Sequence, residues 1–228
     1  MVEQKNDSAD KIQERQWKTK VVGAFIGTRV ENRIKGGPEN ESLPELCMRV
    51  INSFERRVTE LLPAHRAALT ALMQGVRAEQ FSNSQELASA ITLGTTEFIV
   101  NNVSIGELEK GIRDHDVATR GWKPLNRVLC YEIEEDDRIR LRVPEVFIQK
   151  PMEFGGLFIS GLSELAKVLK SDTALANITT VIGSSRLIYA FKQDMEKGGF
   201  AITINDEENK IATAEISAVE LVKRYAGE

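Results

Sequence analysis

A short turn near the C-terminus, Gly183-Ser184-Ser185-Arg186, combines residue types that suit the binding of an anion. Glycine lets a ligand approach the backbone, serine donates from its hydroxyl, and arginine offers a planar fork of N–H donors. A helix that starts after the turn adds backbone N–H groups that favour phosphate or carboxylate. Serine also begins many helices simply as a cap, so a structural role is the alternative. We group Lys192, on the same helix, with this candidate anion- or partner-binding site.

A second set of candidates lies near the N-terminus, where basic side chains crowd residues 11–35. Cations of this kind bind nucleic-acid phosphate, and Trp17 beside them offers a face on which a base can stack. The residues that we assign to this nucleic-acid arm are Lys18, Lys20, Arg29 and Arg33. A solvated charged segment is the alternative, because the whole chain carries a formal charge of −4 at pH 7.

The sequence contains no familiar catalytic or metal-binding spacing. The two histidines, His65 and His115, lie far apart, and neither has a second histidine or a cysteine at ligand spacing. The two cysteines, Cys47 and Cys130, form no CxxC pair and are typical of reduced thiols in the cytoplasm. We therefore predict no catalytic residue, no metal site and no cofactor, although catalytic groups that converge from distant segments would leave no motif.

Composition sets the broad class of the protein. The 228 residues, of which 42% are hydrophobic and 28% charged, are typical of a water-soluble globular protein with one large or two small domains. No stretch approaches the roughly 20 apolar residues of a membrane span, and the N-terminus lacks the apolar segment of a secretory signal. We expect a cytoplasmic protein with no membrane partner.

The N-terminal half is predicted to be helical after a flexible basic arm and linker over residues 1–42. Apolar residues between 21 and 30 favour a strand within the arm, and residues 36–42 (GGPENES) form a linker. Residues 43–118 form the predicted helical domain, in which Ser42 and Glu45 have the spacing of a capping box. The apolar face of the helix from Leu43 to Leu62 is a candidate homodimer interface.

Residues 86–103 resemble a helix-turn-helix, with a small residue at Ala90 and a turn expected at Gly94. The segment that would read DNA contains no arginine and carries Glu97, which would be repelled by phosphate. These residues favour a packed helical hairpin over direct recognition of DNA bases.

The C-terminal half, residues 119–228, is predicted to mix helices and strands. Apolar and polar residues alternate over residues 128–143, on both sides of an acidic tip at residues 134–137, and this pattern predicts a hairpin. Residues 200–217 predict another. Residues 152–159 (MEFGGLFI) suggest a short strand or loop. Residues 178–182 (ITTVI) are either an extended stretch between two helices of a winged-helix-like module or a sheet strand that leads into the Gly183–Arg186 turn.

These observations predict an α+β fold and leave three functions open. The first is a non-enzymatic regulatory or assembly protein that binds a protein partner, with a nucleic-acid complex as one setting. The second is a small-molecule binding protein or enzyme that holds an anionic ligand at Gly183–Arg186. The third is a structural homo-oligomer. A sheet strand at residues 178–182, with Ser184 and Ser185 in a concave pocket, would favour the second.

Overall fold

The computed structural model describes residues 3–38, 40–134 and 137–227, with only the backbone at residues 3–10 and 151. The chain is α+β, as predicted, with helices in the N-terminal half and a mixed sheet in the C-terminal half. Its internal contacts divide it into a first unit, Met1–His115, and a second unit, Asp116–Glu228. The boundaries predicted at residues 42 and 118 stay a prediction.

The first unit is built from helices. They are α1 (Glu3–Lys35), α2 (Leu43–Leu61), α3 (Arg66–Gln74), α4 (Ser84–Asn102) and α5 (Ile105–Arg120), with short 3-10 turns at Pro63–His65 and Ala78–Gln80. The last turn of α5, from Asp116 onward, belongs to the second unit. The capping box is confirmed, because the Ser42 backbone N–H donates to Glu45 Oε2 at 3.0 Å. Asn83 caps α4 by accepting from the Glu86 backbone N–H at 3.0 Å.

The strand expected over residues 21–30 is wrong, because these residues lie in the middle of α1. Their apolar members fall on one buried helical face: Val22, Phe25, Ile26 and Val30. The same helix packs against α4, since a Cβ added at Gly23 or Gly27 would be in ordinary contact with Thr96 at 3.7 Å or with Thr92 at 3.6 Å. Burial against α4 outweighs the strand preference of valine, isoleucine and phenylalanine.

The turn expected at Gly94 is also wrong. Residues 84–102 form one continuous helix, α4, with Gly94 in its interior and the Leu72 side chain 3.7 Å from where its Cβ would be. A single glycine costs a helix only about 1 kcal/mol, which the buried neighbours Ile91 and Ile99 offset. The break between helices comes later, because α4 ends at Asn102 and α5 begins at Ile105.

The apolar face of α2 faces the core of the first unit rather than a second copy of the chain. Val50 and Phe54 are completely buried, and Leu46 and Val58 are nearly so. This face is thus occupied within the monomer and is not the homodimer interface we expected. Oligomerisation through another surface stays a prediction.

The second unit is built on a mixed sheet. Its described strands are β1 (Lys123–Pro124), β2 (Cys130–Glu134), β3 (Arg138–Arg142), β4 (Thr180–Ser185), β5 (Ala201–Asp206) and β6 (Ile211–Ser217), in the order β1-β2-β3-β4-β6-β5. Only the β3–β4 pairing among them is parallel. The helices are α6 (Pro151–Ser171), α7 (Arg186–Ala190), α8 (Lys192–Lys197) and α9 (Ala218–Tyr225), with a 3-10 turn at Thr173–Leu175.

Both predicted hairpins are confirmed. Strands β2 and β3 pair antiparallel, as do β5 and β6. Two residues of the acidic tip, Glu135 and Asp136, lie outside the described residues. Residues 180–185 form a strand between β3 and β6, so this segment is not an extended stretch between two helices.

Residues 152–159 form the start of helix α6, not the strand or loop that we expected. Pro151 occupies the first turn of the helix, where its missing N–H costs nothing. Farther along, Leu162 and Leu165 are fully buried and anchor the helix in the core of the second unit. None of the described helices combines the length and the apolar character needed to cross a bilayer.

Candidate functional site

A cavity of about 270 Å³ lies in the second unit at the end of β4. Gly183, Ser184 and Ser185 form part of its wall, beside residues from β3, α6, α7 and α8. The turn that we expected at Gly183–Ser185 is wrong, because these residues are the end of strand β4 and pair with β6. They nevertheless border a concave site and not a flat surface. This is the geometry expected of a small-molecule pocket.

The wall at Gly183 is tightly packed. A Cβ at this position would lie 3.2 Å from Ile188 Cδ1 and 3.5 Å from Leu141 Cβ. Glycine thus lets β4 and the start of α7 come together behind the cavity.

One side of the cavity is aromatic. The Phe154 and Phe158 rings stack with centroids 6.0 Å apart, and Phe191 stacks on Phe154 at 6.3 Å. At the cavity wall Ile159 is 49% exposed and Phe191 40%, which is high for such apolar side chains. These residues suit the apolar body of a ligand, since aromatic surfaces supply most of the contact area in such pockets.

The polar part of the cavity wall contains two arginines that share one indole ring. The guanidinium carbon of Arg120 lies 5.0 Å from the centre of the Trp122 ring, and that of Arg142 lies 5.7 Å away. Stacking on an aromatic face holds a guanidinium in place without covering its N–H donors. Trp122 thus orients two permanent positive charges at the cavity.

Each arginine is also bound to a carboxylate. Arg120 Nε lies 3.1 Å from Asp116 Oδ1, and Arg142 Nε donates to Glu132 Oε1 at 2.8 Å, with Arg142 Nη2 contacting the same oxygen. Among the described residues, neither Arg120's terminal nitrogens nor Arg142 Nη1 has a hydrogen-bond acceptor. These N–H groups are available to an anionic ligand. Asp194 supplies a negative charge elsewhere on the wall.

The two serines at the end of β4 differ in their bonding. Ser185 caps α7, because its Oγ accepts from the Ile188 backbone N–H at 3.1 Å. Ser184 is exposed, and its hydroxyl has no hydrogen-bond partner in the part of the chain that the structure describes. Ser184 is therefore the serine whose hydroxyl is free to bind a ligand.

Tyr225, from the last helix, completes the wall and fixes the position of α9. Its hydroxyl donates to the Gly198 carbonyl at 3.0 Å. Burial raises the pKa of this phenol, so it stays neutral near the cavity at physiological pH.

Arg186 and Lys192 lie outside this cavity. Arg186 lines a separate depression with Tyr189 and Lys210. The Lys192 ammonium lies 4.8 Å from the centre of the Tyr189 ring. The structure therefore separates these two cations from Gly183–Ser185, and their role as anion ligands stays a prediction.

The residues of the predicted nucleic-acid arm belong to α1 in the first unit. Lys18 Nζ donates to the Val100 carbonyl at 3.0 Å, while Lys20 is exposed. Arg29 and Arg33 lie one turn apart near the end of the helix, and Arg33 Nη1 donates to the Arg29 carbonyl at 3.1 Å. Nucleic-acid binding by these four residues stays a prediction.

The histidines and cysteines contribute to neither region. His65 Nε2 lies 3.1 Å from Glu107 Oε1, and this contact holds the pKa of the Glu107 carboxyl below its ordinary value. Cys47 and Cys130 are buried, and burial raises the pKa of the Cys47 thiol. The described residues include no group of three histidine, cysteine or acidic side chains placed to hold a metal ion.

Our sequence analysis missed Arg120 and Arg142, which supply the positive charge at the cavity, and Trp122, whose ring lies near both. Trp122 lies two residues after Arg120 in sequence. Arg142 lies at the end of β3, the second strand of the first hairpin, and comes near them only in the folded unit. The alternation of arginine through Arg138 and Arg140 to Arg142 was the one available sign that a basic strand face existed. Comparisons with protein-family models, curated proteins and solved structures found no match for the chain.

Proposed function

We propose that the second unit binds a small molecule that has an apolar body and one anionic group. The observation that carries this proposal is the position of Gly183–Ser185, the end of strand β4, at a cavity with aromatic side chains and two arginines. The stacked phenylalanines contact the apolar body. Arg120, Arg142 and the Ser184 hydroxyl bind the anionic group.

The size of the cavity limits the ligand. Its volume of about 270 Å³ exceeds the roughly 150 Å³ of an apolar protein cavity that binds benzene. It falls near the lower end of the range for small-molecule pockets, which begins at about 300 Å³. A medium-length acyl carboxylate or a substituted aromatic carboxylate fits this volume and its chemistry.

Trp122 provides a direct reporter of binding. The chain has two tryptophans, so a Trp17→Phe variant keeps Trp122 as its single source of indole fluorescence. Titration of this variant with decanoate, decanol and decylamine varies the head group while the ten-carbon alkyl chain of the ligand stays the same. We expect saturable fluorescence changes, with decanoate binding about tenfold or more tighter than decanol because each charge-assisted hydrogen bond contributes about 1.5–3 kcal/mol.

A Trp122→Phe variant, which keeps Trp17, is the matched control and should show no saturable change with decanoate. Equal responses from the two variants would indicate general adsorption of the ligand and would contradict the proposal. Tightest binding of decylamine would assign the site to a cation instead.

A macromolecular partner is a second candidate function, and the first unit supplies the observation in its favour. Met48 on α2 and Leu93 on α4 are large apolar side chains that are mostly exposed. Single exposed residues of this kind are common, so the assignment depends on a binding test. We expect Met48→Lys and Leu93→Lys to abolish co-purification of a specific protein from the native cell extract while leaving decanoate binding unchanged. If neither substitution abolishes co-purification of a specific protein, this candidate function is removed.

A further inference from the structure

Two arginines of α1 and two of α2 lie close enough to one another in the first unit for their charges to interact. Arg29 and Arg33 lie one turn apart on α1. Arg33 Nε donates to Ser53 Oγ on α2 at 2.8 Å. Arg56 and Arg57 follow Ser53 by three and four residues and so share its side of α2. We call these four residues the arginine cluster.

Aromatic rings and backbone carbonyls contact the α1 side of the arginine cluster. The guanidinium carbon of Arg29 lies 3.6 Å from the centre of the Phe25 ring, and Arg29 Nη1 donates to the Phe25 carbonyl. The Arg33 guanidinium carbon lies 5.7 Å from the centre of the Phe54 ring. These contacts fix the direction of the two guanidinium groups.

The charges of the cluster oppose one another. Burial, followed by the charges of Arg57, Arg29 and Arg56, lowers the pKa of the Arg33 guanidinium. Within the described residues, no carboxylate lies at ion-pair distance from Arg33, Arg56 or Arg57. Concentrated like charge disfavours the folded state unless a counter-ion joins it.

A neighbouring arginine shows how the same region neutralises a charge that has a structural role. Arg49 on α2 makes a two-point ion pair with Glu41, through Nε at 2.7 Å and Nη2 at 2.6 Å. Arg49 Nη1 also donates to the Arg33 carbonyl at 2.6 Å, which ties α2 to the end of α1. Among the described residues, Arg33, Arg56 and Arg57 have no carboxylate that neutralises them as Glu41 neutralises Arg49.

We propose that the arginine cluster binds a compact oligophosphate, a ligand in which two or more phosphates are directly linked. Guanidinium groups match the geometry of phosphate oxygens and bind them by paired, charge-assisted hydrogen bonds. Several arginines in one small area suit several adjacent phosphates better than one isolated anion. The aromatic rings of the region, Phe25 and Phe54, are buried, so they offer no face for stacking a nucleic-acid base.

This site is independent of the one proposed for the second unit. It uses residues of α1 and α2, and its ligand has no apolar body. Failure of either proposal therefore leaves the other untouched, because decanoate titrates the cavity and an oligophosphate titrates the arginine cluster.

Isothermal titration of the full chain with inorganic tripolyphosphate, at about 50 mM salt where phosphate contacts are strong, tests the inference. The key variant is Arg56→Gln/Arg57→Gln, which removes two charges from partly exposed positions. The matched control is Arg66→Gln/Arg77→Gln, which removes two exposed arginines of the same unit. We expect saturable binding by the wild type, loss of about tenfold or more in affinity for the cluster variant, and less than about twofold change for the control.

Orthophosphate and a short single-stranded DNA separate the ligand classes in the same assay. We expect both to bind more weakly than tripolyphosphate. Absence of saturable tripolyphosphate binding, or equal weakening in the control variant, would overturn the inference. Tighter binding of the DNA would also overturn it and would assign the cluster to a nucleic-acid backbone instead. Thermal melting of both variants at or above the wild-type midpoint shows that a loss of binding is not a loss of fold.

Discussion

The guanidinium of Arg142 and the indole of Trp122 stack within 5.7 Å of each other at the wall of the cavity. Glu132 holds the other side of the same guanidinium. The arginine is thus held by an aromatic ring and a carboxylate, while its Nη1 has no acceptor among the described residues. A charged group fixed in this way loses little entropy when it binds a ligand, which favours affinity.

Replacing Trp122 by leucine tests the positioning of the two arginines. The change keeps an apolar side chain but removes the ring against which Arg120 and Arg142 stack. We expect decanoate affinity to fall by about tenfold, the equivalent of roughly 1.4 kcal/mol, while decanol affinity changes little. Isothermal titration with both ligands measures the difference. An equal loss for the two ligands would show that Trp122 only lines the apolar part of the cavity.

Gly111 marks the closest helix contact in the first unit. A Cβ at this position would lie 1.9 Å from the Leu61 carbonyl oxygen, a backbone atom that cannot move aside alone. We expect Gly111→Ala to lower the free energy of unfolding by about 2–3 kcal/mol, at the upper part of the range for overpacking. Gly106→Ala in the same helix is the control, because its Cβ would meet nothing within 4 Å. That change should be neutral or stabilising by up to about 1 kcal/mol in urea unfolding.

The raised pKa of Tyr225 leads us to expect that the folded protein loses stability in alkali. Burial raises the pKa of this phenol, so the unfolded chain releases its proton at lower pH than the folded chain does. The stabilisation is therefore complete below the ordinary tyrosine pKa of about 10 and is lost as the pH rises through the folded value. Urea midpoints measured at increasing pH should fall above about pH 10.

The Tyr225→Phe variant isolates this effect from the other tyrosines. It lacks the hydroxyl that donates to the Gly198 carbonyl, which costs about 1 kcal/mol near neutral pH. We expect a shallower decline of its urea midpoint in alkali than in the wild type. An identical decline would mean that other groups, such as Tyr131, whose pKa burial also raises, account for the whole effect.

The arginine cluster predicts an unusual stabilising substitution. Arg57→Gln removes one of the charges that repel Arg33, so we expect it to raise the free energy of unfolding by up to about 0.5 kcal/mol at low salt. The gain should vanish at about 1 M salt, where the Debye length is about 3 Å. Arg66→Gln should show no such salt-dependent gain. Destabilisation by Arg57→Gln at low salt would contradict the repulsion inferred from the structure.

Elements governed by nearby residues were predictable from the sequence. Both hairpins and the capped start of α2 depend on alternation, turns and caps that act over a few residues. Helix α1 and the first turns of α6 were not predictable, because local strand preferences there are outweighed by packing against distant parts of the same unit. In α1 the deciding feature is the burial of Val22, Ile26 and Val30 on one helical face.

The residues of the candidate site also differ in how far they could be predicted from the sequence. Gly183, Ser184 and Ser185 were visible as a motif because they are consecutive in sequence. Arg120 and Arg142 come from the two ends of a segment that includes the first hairpin, and the sequence does not show that both stack on Trp122. Arg186 was grouped with the turn because it follows directly in sequence, yet the start of α7 places it at a different depression.

The most direct test of the account compares decanoate binding by the wild type, Arg142→Gln and Arg138→Gln in isothermal titration. Both variants remove one positive charge from β3, but only Arg142 lines the cavity, while Arg138 is exposed at the other end of the strand. We predict an affinity loss of about tenfold or more for Arg142→Gln and a change of less than about twofold for Arg138→Gln. Equal affinities for all three proteins, or no binding by any of them, would contradict an anion-binding cavity in the second unit.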